Sequence, residues 1–305
     1  MKGLMDLLRQ HGVRFTPQLP VRHHNTFRIG GTVALAVFPE GREQLLAALA
    51  ATRERGVPYA VVGKGSNLLF PDTEYGGAVI FTGGVAECRR EENTFYADAG
   101  TPLAALAIRA RNASLSGAEF MGGIPGTLGG AVITNAGAFG SSMQDLVVAT
   151  EYWDGETGRI ERLEGNANGF GYRTSFYSTR PHLTVLSAEL RLMEGNAAEI
   201  DRIMKQYHEK RRATQPLELP NAGSIFKHPK GHYAGKLIED CGLKGYRVGD
   251  AAVSEKHAGF IVNRGNATAE DVRELIRLIR ARVEAACGIR LECELKGLGL
   301  ELDQP

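Results

Sequence analysis

Apolar and polar positions along the chain follow two rhythms. In residues 1–10, Leu4, Leu7 and Leu8 recur at helical spacing and predict a short leading helix. Residues 33–38 form a continuous apolar run, read as a buried strand. Residues 43–53 then put Leu45, Leu46, Leu49 and Ala50 on one face, and Gly56 stops the pattern, as expected of a helix. Residues 58–62 read as a second strand, which completes a βαβ unit. Further strands are expected at 78–81, 94–99, 147–153, 159–163 and 184–193, with Asp154-Gly155 as a hairpin turn. Residues 102–111 and 197–212 read as helices, and 17–25 as a connector. In the last third, a short helix at 234–241 ends at Gly242, and strands are expected near 251–254, 259–263 and 290–295. The clearest amphipathic helix runs from Thr268 to about Ala286, with Val272, Leu275, Ile276, Ile279 and Val283 as its stripe. Thr268 and Asp271 have the spacing of an N-terminal cap, and Gly288 that of a stop.

Two stretches fit neither rhythm. Residues 117–131 contain six glycines, and each glycine inside a regular element costs roughly 0.5–1 kcal/mol. A loop or chain of turns is therefore expected there. Gly63-Lys64-Gly65-Ser66-Asn67 has the same character and directly follows the second strand of the βαβ unit. Backbone N–H groups unshielded by side chains form anion-binding nests. Two such segments in one chain point to a long, flat, phosphorylated ligand, a dinucleotide. The spacing departs from G-x-G-x-x-G, and Leu68-Leu69-Phe70 reads as extended chain rather than helix, which argues against a standard dinucleotide-binding domain.

Composition narrows the classes. A length of 305 residues suggests about two domains, with the main boundary in the linker bracketed by Pro216 and Pro220. A formal net charge of +1 argues against a nucleic-acid binder. No apolar run is long enough for a membrane span, and Met1-Lys2-Gly3-Leu4-Met5-Asp6 does not resemble a signal peptide. Cys88, Cys241, Cys287 and Cys293 lack metal-ligand spacing, so no metal is expected and free thiols in a reducing cytoplasm are the preferred reading.

Few residues stand out as chemistry. Ser224 sits among small residues in Asn221-Ala222-Gly223-Ser224-Ile225-Phe226-Lys227, with no G-x-S-x-G elbow and no neighbouring His, so it suits proton donation better than nucleophilic attack. Arg173, beside Tyr172, could stabilise a developing anion. Glu294 reads first as the polar face of a strand, and Lys236, Lys256 and His257 as solvated or structural groups near turns.

Taken together, Asn25-Thr26-Phe27-Arg28-Ile29-Gly30-Gly31, the Gly-Lys-Gly-Ser-Asn loop, residues 122–140, Tyr172-Arg173, residues 223–227 and Val253-Ser254-Glu255-Lys256-His257-Ala258 resemble the UDP-N-acetylenolpyruvoylglucosamine reductase (MurB) family, in order from about Asn25 to Glu294. The likeness is to its shorter, type II branch. The resemblance implies an α+β protein with a vanillyl-alcohol-oxidase-type FAD-binding fold in two lobes, 1–84 and 85–213, and a C-terminal α/β substrate domain, 214–305. It implies non-covalent FAD, NADPH as hydride donor and UDP-N-acetylglucosamine enolpyruvate as substrate, in a cytoplasmic monomer. Carried over by position, Arg173, Ser224 as proton donor and Glu294 are catalytic. Val62, Gly63, Lys64, Gly65, Ser66, Asn67, Gly122, Gly123, Ile124, Pro125, Gly126, Thr127, Gly130, Ala131 and Arg212 are implied to hold the cofactor. Lys227, Lys236, Lys256 and His257 are implied to bind substrate. Three positions depart from the family pattern: Lys64 replaces a usual Gly, His228 a usual Asn, and Cys293-Glu294-Leu295-Lys296 stands where Pro-Glu-Val-Arg is common. Two rival readings remain at this level: an FAD-dependent oxidase of a small alcohol or sugar, though neither glycine loop offers a clear His or Cys for covalent flavin, and a nucleotide-binding regulator without turnover.

Overall fold

The molecule is described by a computed structural model covering residues 1–302. Its contacts divide the chain into two compact units that do not follow chain order. The first comprises Met1–Pro17, Leu35–Lys64 and Gly77–Arg211; the second comprises Gln18–Ala34, Gly65–Gly76 and the chain from Arg212 onward.

The helices are α1 (Lys2–Gln10), α2 (Arg42–Glu54), α3 (Leu103–Asn112), α4 (Leu128–Thr134), α5 (Ala197–Thr214), α6 (Ala234–Asp240) and α7 (Ala269–Cys287). A four-stranded sheet contains β1 (Arg14–Pro20), β2 (Thr32–Phe38), β3 (Tyr59–Val62) and β4 (Tyr75–Phe81) in the order β1-β2-β4-β3. The expected βαβ unit exists as β2-α2-β3, with β4 inserted between its two strands and parallel to β3. Leu4 and Leu8 of α1 and Leu45 and Leu49 of α2 are wholly buried in one core with Leu35, Val37 and Ile80.

The first unit also holds a five-stranded sheet of β5 (Cys88–Glu91), β6 (Thr94–Asp98), β7 (Val147–Asp154), β8 (Ile160–Glu164) and β9 (Leu183–Arg191), in the order β8-β7-β9-β6-β5 and antiparallel throughout. Alternation along these strands sends Phe95, Ala97, Ala188 and Leu190 into a core shared with α3 and α4. The polar side carries Asp98, Glu151, Arg162 and Glu189, around a cavity of about 580 Å³ whose charges are largely paired, Arg42 with Glu151 and Arg162 with Glu189.

In the second unit, β10 (Asn221–Ser224), β11 (Arg247–Val248), β12 (Ala251–Val253) and β13 (Phe260–Asn263) form an antiparallel sheet in the order β10-β13-β12-β11. The predicted apolar stripe of α7, from Val272 to Val283, lies in the core beside Phe27, Ile29 and Leu69 from the two early segments. The predicted cap is present: the Thr268 hydroxyl accepts from the Asp271 N–H at 3.0 Å, and the Asp271 carboxylate accepts from the Thr268 N–H at 2.9 Å. Asp72 extends it, accepting from the N–H groups of Ala269 and Glu270 at 2.8 and 3.2 Å. Three otherwise orphaned donors at the start of α7 are thereby satisfied, two of them by a residue almost two hundred positions away.

Three expectations are corrected. The connector expected at 17–25 includes most of strand β1, whose Pro17 and Pro20 are tolerated because β1 is an edge strand. The glycine-rich run is not loop throughout: Glu119–Gly123 is a 3-10 turn and Leu128–Thr134 is α4. Gly129 is tolerated in that helix because a Cβ there would come within 2.8 Å of the Ala99 Cβ; the helix is packed too close for a side chain. Residues 290–295 do not form a strand. They hold a single bridge, Phe226 to Cys293, and the pairing falls one step later, where Lys296–Gly297 runs parallel to Leu68–Leu69.

Asp72→Ala leaves two α7 donors to solvent alone and is expected to lower stability by about 0.5–2 kcal/mol. Urea unfolding monitored by circular dichroism measures the loss. An unchanged midpoint would remove Asp72 from the cap.

Candidate functional site

In the first unit the two glycine-rich segments meet. A Cβ on Gly63 would lie 2.1 Å from the Thr127 Oγ1, so only hydrogen fits between the end of β3 and the start of α4. The second segment is fixed from behind: Leu103 N–H donates to the Gly126 carbonyl, Leu128 N–H to Thr101 and Gly129 N–H to Ala99. Val62, Thr127 and Ala131 are buried, whereas Lys64, Pro125 and Gly130 are exposed. Gly130 has no atom within 4 Å of where a Cβ would stand, so bare backbone is presented there.

Gly123 lies against one member of the basic run Lys210-Arg211-Arg212, whose cations could serve the substrate or flavin phosphates. The Arg211 side chain lies over it, with Cδ 2.7 Å from the position of a Cβ. Burial lowers the Arg211 pKa, and no charged neighbour among the described residues offsets that burial. A half-buried guanidinium without a counter-charge is unfavourable unless an anion joins it. The expectation named Arg212, which is exposed and belongs to the second unit. The basic run Lys210-Arg211-Arg212 was visible in the sequence; which member turns toward the glycines is set by the phase of α5.

Arg173 also belongs to the first unit. Tyr172 and Arg173 form the tip of a tight turn closed by mutual backbone bonds between Gly171 and Thr174. Arg173 has φ +54, a left-handed value at a position where turns favour glycine. Its guanidinium lies 5.4 Å from the Tyr172 ring centroid, and Nη2 donates to the Gly137 carbonyl at 3.4 Å. Asn135, itself left-handed at φ 44, donates to the Gly171 carbonyl at 2.8 Å and holds the turn. The far side of this loop is anchored by a buried triad: the Thr150 hydroxyl donates to Asn168 Oδ1 at 2.7 Å and lies 2.5 Å from the Tyr177 hydroxyl. Burial pushes the Tyr177 pKa up to about 12.

The second unit holds the remaining candidates. Ser224 is half-buried at the end of β10, opposite Phe260, and follows Gly223 at φ +76. Glu294 N–H donates to the Ile225 carbonyl at 2.8 Å, so the backbone of Glu294 lies beside the residue that follows Ser224. Asn67 joins them, donating from Nδ2 to the Glu294 carbonyl at 3.1 Å. Gly65 is seated at φ +59 against Asn25, whose Cβ lies 2.8 Å from where a side chain would start.

The cationic candidates are less concentrated. Lys227 pairs with Glu292, and Lys236 pairs with Asp240 on the exposed face of α6. Lys256 donates to the Arg212 carbonyl at 2.6 Å and lies 3.8 Å from Glu218. His257 is engaged within its own turn: Nδ1 accepts from the Gly259 N–H at 3.1 Å, and burial lowers the imidazole pKa. Among the described residues no group of three or more His, Cys, Asp or Glu could hold a metal ion, and no helix is long and apolar enough to cross a membrane.

Comparison with known proteins matches two successive segments of the chain. A family model described as an FAD binding domain matches residues 33–164, and one described as the C-terminal domain of UDP-N-acetylenolpyruvoylglucosamine reductase matches residues 215–298. A UDP-N-acetylenolpyruvoylglucosamine reductase of Caldanaerobacter subterraneus is 42% identical over 280 residues, covering 92% of this chain and 92% of its own. One from Clostridioides difficile is 40% identical over 298 residues, covering 97% of each chain. The crystal structure of the Thermus caldophilus enzyme superposes with a TM-score of 0.77 at 36% identity, over 93% of this chain and 98% of that one.

The Arg173 loop depends on its buried polar anchor. Thr150→Val leaves the Asn168 and Tyr177 polar atoms without their shared partner and is expected to destabilise the protein by about 1–3 kcal/mol. Denaturant titration reads this directly, and a wild-type midpoint would show that the triad contributes nothing.

Proposed function

This chain belongs to the UDP-N-acetylenolpyruvoylglucosamine reductase family, and from that premise we propose that it reduces the enolpyruvyl group of UDP-N-acetylglucosamine enolpyruvate to UDP-N-acetylmuramate, using non-covalent FAD and NADPH. It is an oxidoreductase with a vanillyl-alcohol-oxidase-type FAD-binding fold and the C-terminal domain of that family. The observation that carries the cofactor reading is the contact between Gly63 and Thr127, which joins two stretches of bare backbone in one unit.

The residues present fit a flavin dinucleotide. Val62, Gly63 and Lys64, with residues 122–127, Gly130 and Ala131, would line its site, the diphosphate meeting those backbone N–H groups that the fold leaves unpaired, and Arg211 would supply the opposing charge. Gly65, Ser66 and Asn67 continue the same loop. When bound, FAD supplies hydride chemistry between the nicotinamide donor and the vinyl carbon.

The protein's own part concerns charge and protons. Hydride addition to the vinyl carbon builds negative charge next to the substrate carboxylate. Arg173 would offset that charge with a permanent cation, and Glu294, protonated, would donate a hydrogen bond to the same oxygens. Preorganised donors of this kind contribute about 3–4 kcal/mol each. Ser224 would then pass its hydroxyl proton to the adjacent carbon, and solvent would restore it. The left-handed backbone at Arg173 supports a functional role, because strain of about 1–3 kcal/mol persists where surrounding structure enforces it. We further propose that residues 1–84 and 85–213 act as cofactor lobes and 214–305 as the substrate domain.

Two substitutions test this reading. Ser224→Ala is expected to leave reduction of the flavin by NADPH intact and to slow turnover of the enolpyruvyl substrate by about 10²–10⁴-fold. Stopped-flow absorbance separates the two half-reactions, and wild-type turnover would refute the assignment. Arg173→Gly, which suits the turn's backbone, is expected to cut turnover by about 10²–10³-fold. Unchanged steady-state rates would remove Arg173 from the reaction.

A further inference from the structure

A pocket of about 320 Å³ in the second unit is lined by Arg22, His23, Arg28 and Arg264, with Leu219 and Asn263 among its other walls. No carboxylate lines it. The nearby Asp250 is engaged elsewhere, paired with Arg247 at 2.8 Å and accepting from the Asn266 N–H. None of the four basic side chains takes part in an ion pair among the described residues. Gathering like charges this closely is unfavourable unless something negative joins them.

The arrangement is held by one buried amide. Asn263 is only 2% exposed. Its Nδ2 donates to the carbonyls of Phe27 and Arg28 at 3.1 and 3.3 Å, and its Oδ1 accepts from the N–H groups of Gly265 and Ala267 at 2.9 and 3.1 Å. One side chain therefore fixes both the Arg28 turn and the Arg264 turn. Arg28 is held at φ +55, an unfavourable backbone for an arginine. Strain and full use of a buried amide converge on presenting cations to one space.

We propose that this pocket is a second anion site, separate from the Ser224–Glu294 region, and that it takes a small polyanion bearing a diphosphate group. Three guanidiniums match a group carrying about three negative charges, and forked donors suit phosphate oxygens. The volume lies at the lower end for small-molecule sites, so the ligand is a single small metabolite rather than a macromolecule. The site is separate by strand geometry. Asn263 N–H donates to Pro220 at the beginning of the β10–β13 pair, where Asn221 faces Val262. Ser224 faces Phe260 at its other end, about 10 Å further along β10. This inference goes beyond the proposed reductase reading and does not require it.

The test is calorimetric titration of the FAD-loaded protein with inorganic pyrophosphate, with sulfate as the less charged control. Saturable binding of pyrophosphate, stronger than sulfate, is expected. Arg22→Gln combined with Arg264→Gln should weaken it at least about tenfold, with flavin content and the KM for the enolpyruvyl substrate unchanged within about twofold. If the double variant folds poorly, the exposed Arg264→Gln alone should still weaken binding measurably. Absence of binding up to about 10 mM, or equal binding by the variants, overturns the proposal. Loss of flavin, or a large rise in that KM, also overturns it, by assigning the pocket to the reductase site itself.

Discussion

A single hydrogen's width governs the glycine-rich segment that follows β3. At Gly63, the backbone passes the Thr127 hydroxyl so closely that any side chain would overlap it, and two residues later Gly65 passes Asn25 under the same restriction at a positive φ. These contacts set the path of the loop that follows β3. The first aligns its beginning with the start of α4, and the second holds Gly65 against Asn25 within the second unit, where Asn67 reaches the Glu294 carbonyl. Packing of this density leaves no slack for a methyl group, because interiors are filled to crystal-like density.

Polar side chains with saturated hydrogen bonds do the remaining positioning. Asn25 bonds the carbonyls of Val21 and Ile29, Asn263 bonds those of Phe27 and Arg28, and Asp72 caps α7. Asn263 and Asp72 tie early segments to the C-terminal part of the second unit, and Asn25 closes its own segment, all through backbone groups that would otherwise be buried and unmet. The same logic holds the Arg173 turn in the first unit, through Asn135 in front and the Thr150–Asn168–Tyr177 triad behind. Strain at Arg173 is sustained because these bonds leave the turn no alternative path.

The electrostatics divide in a corresponding way. Lys236, Lys227 and Lys256 have local partners, and exposed pairs of this kind contribute little to stability. Arg211 is different. It is half-buried over Gly123, and no charged neighbour among the described residues offsets that burial. The charged side of the five-stranded sheet shows the opposite balance, with Arg42 and Arg162 already neutralised by Glu151 and Glu189.

What was legible in the sequence is what depends on near neighbours. The helical stripe of α7, its Thr268–Asp271 cap and its Gly288 stop follow from spacings of a few residues, as do the β2-α2-β3 unit and the hairpin at Asp154-Gly155. The glycine-rich runs announced a close backbone approach, and the ordered motifs from Asn25 to Glu294 pointed to the family. Tertiary structure alone decided the rest, because those outcomes require partners distant along the chain. Pro17 and Pro20 lie in a strand because an edge needs no inward N–H there. Leu128–Thr134 is a helix despite its glycines because Ala99 lies against it. The pairing at the C-terminal end belongs to Lys296–Gly297 because Leu68–Leu69 supplies the partner strand. Arg211 rather than Arg212 meets Gly123, and three arginines and a histidine share one pocket, because side-chain direction is fixed only when helices and turns are packed.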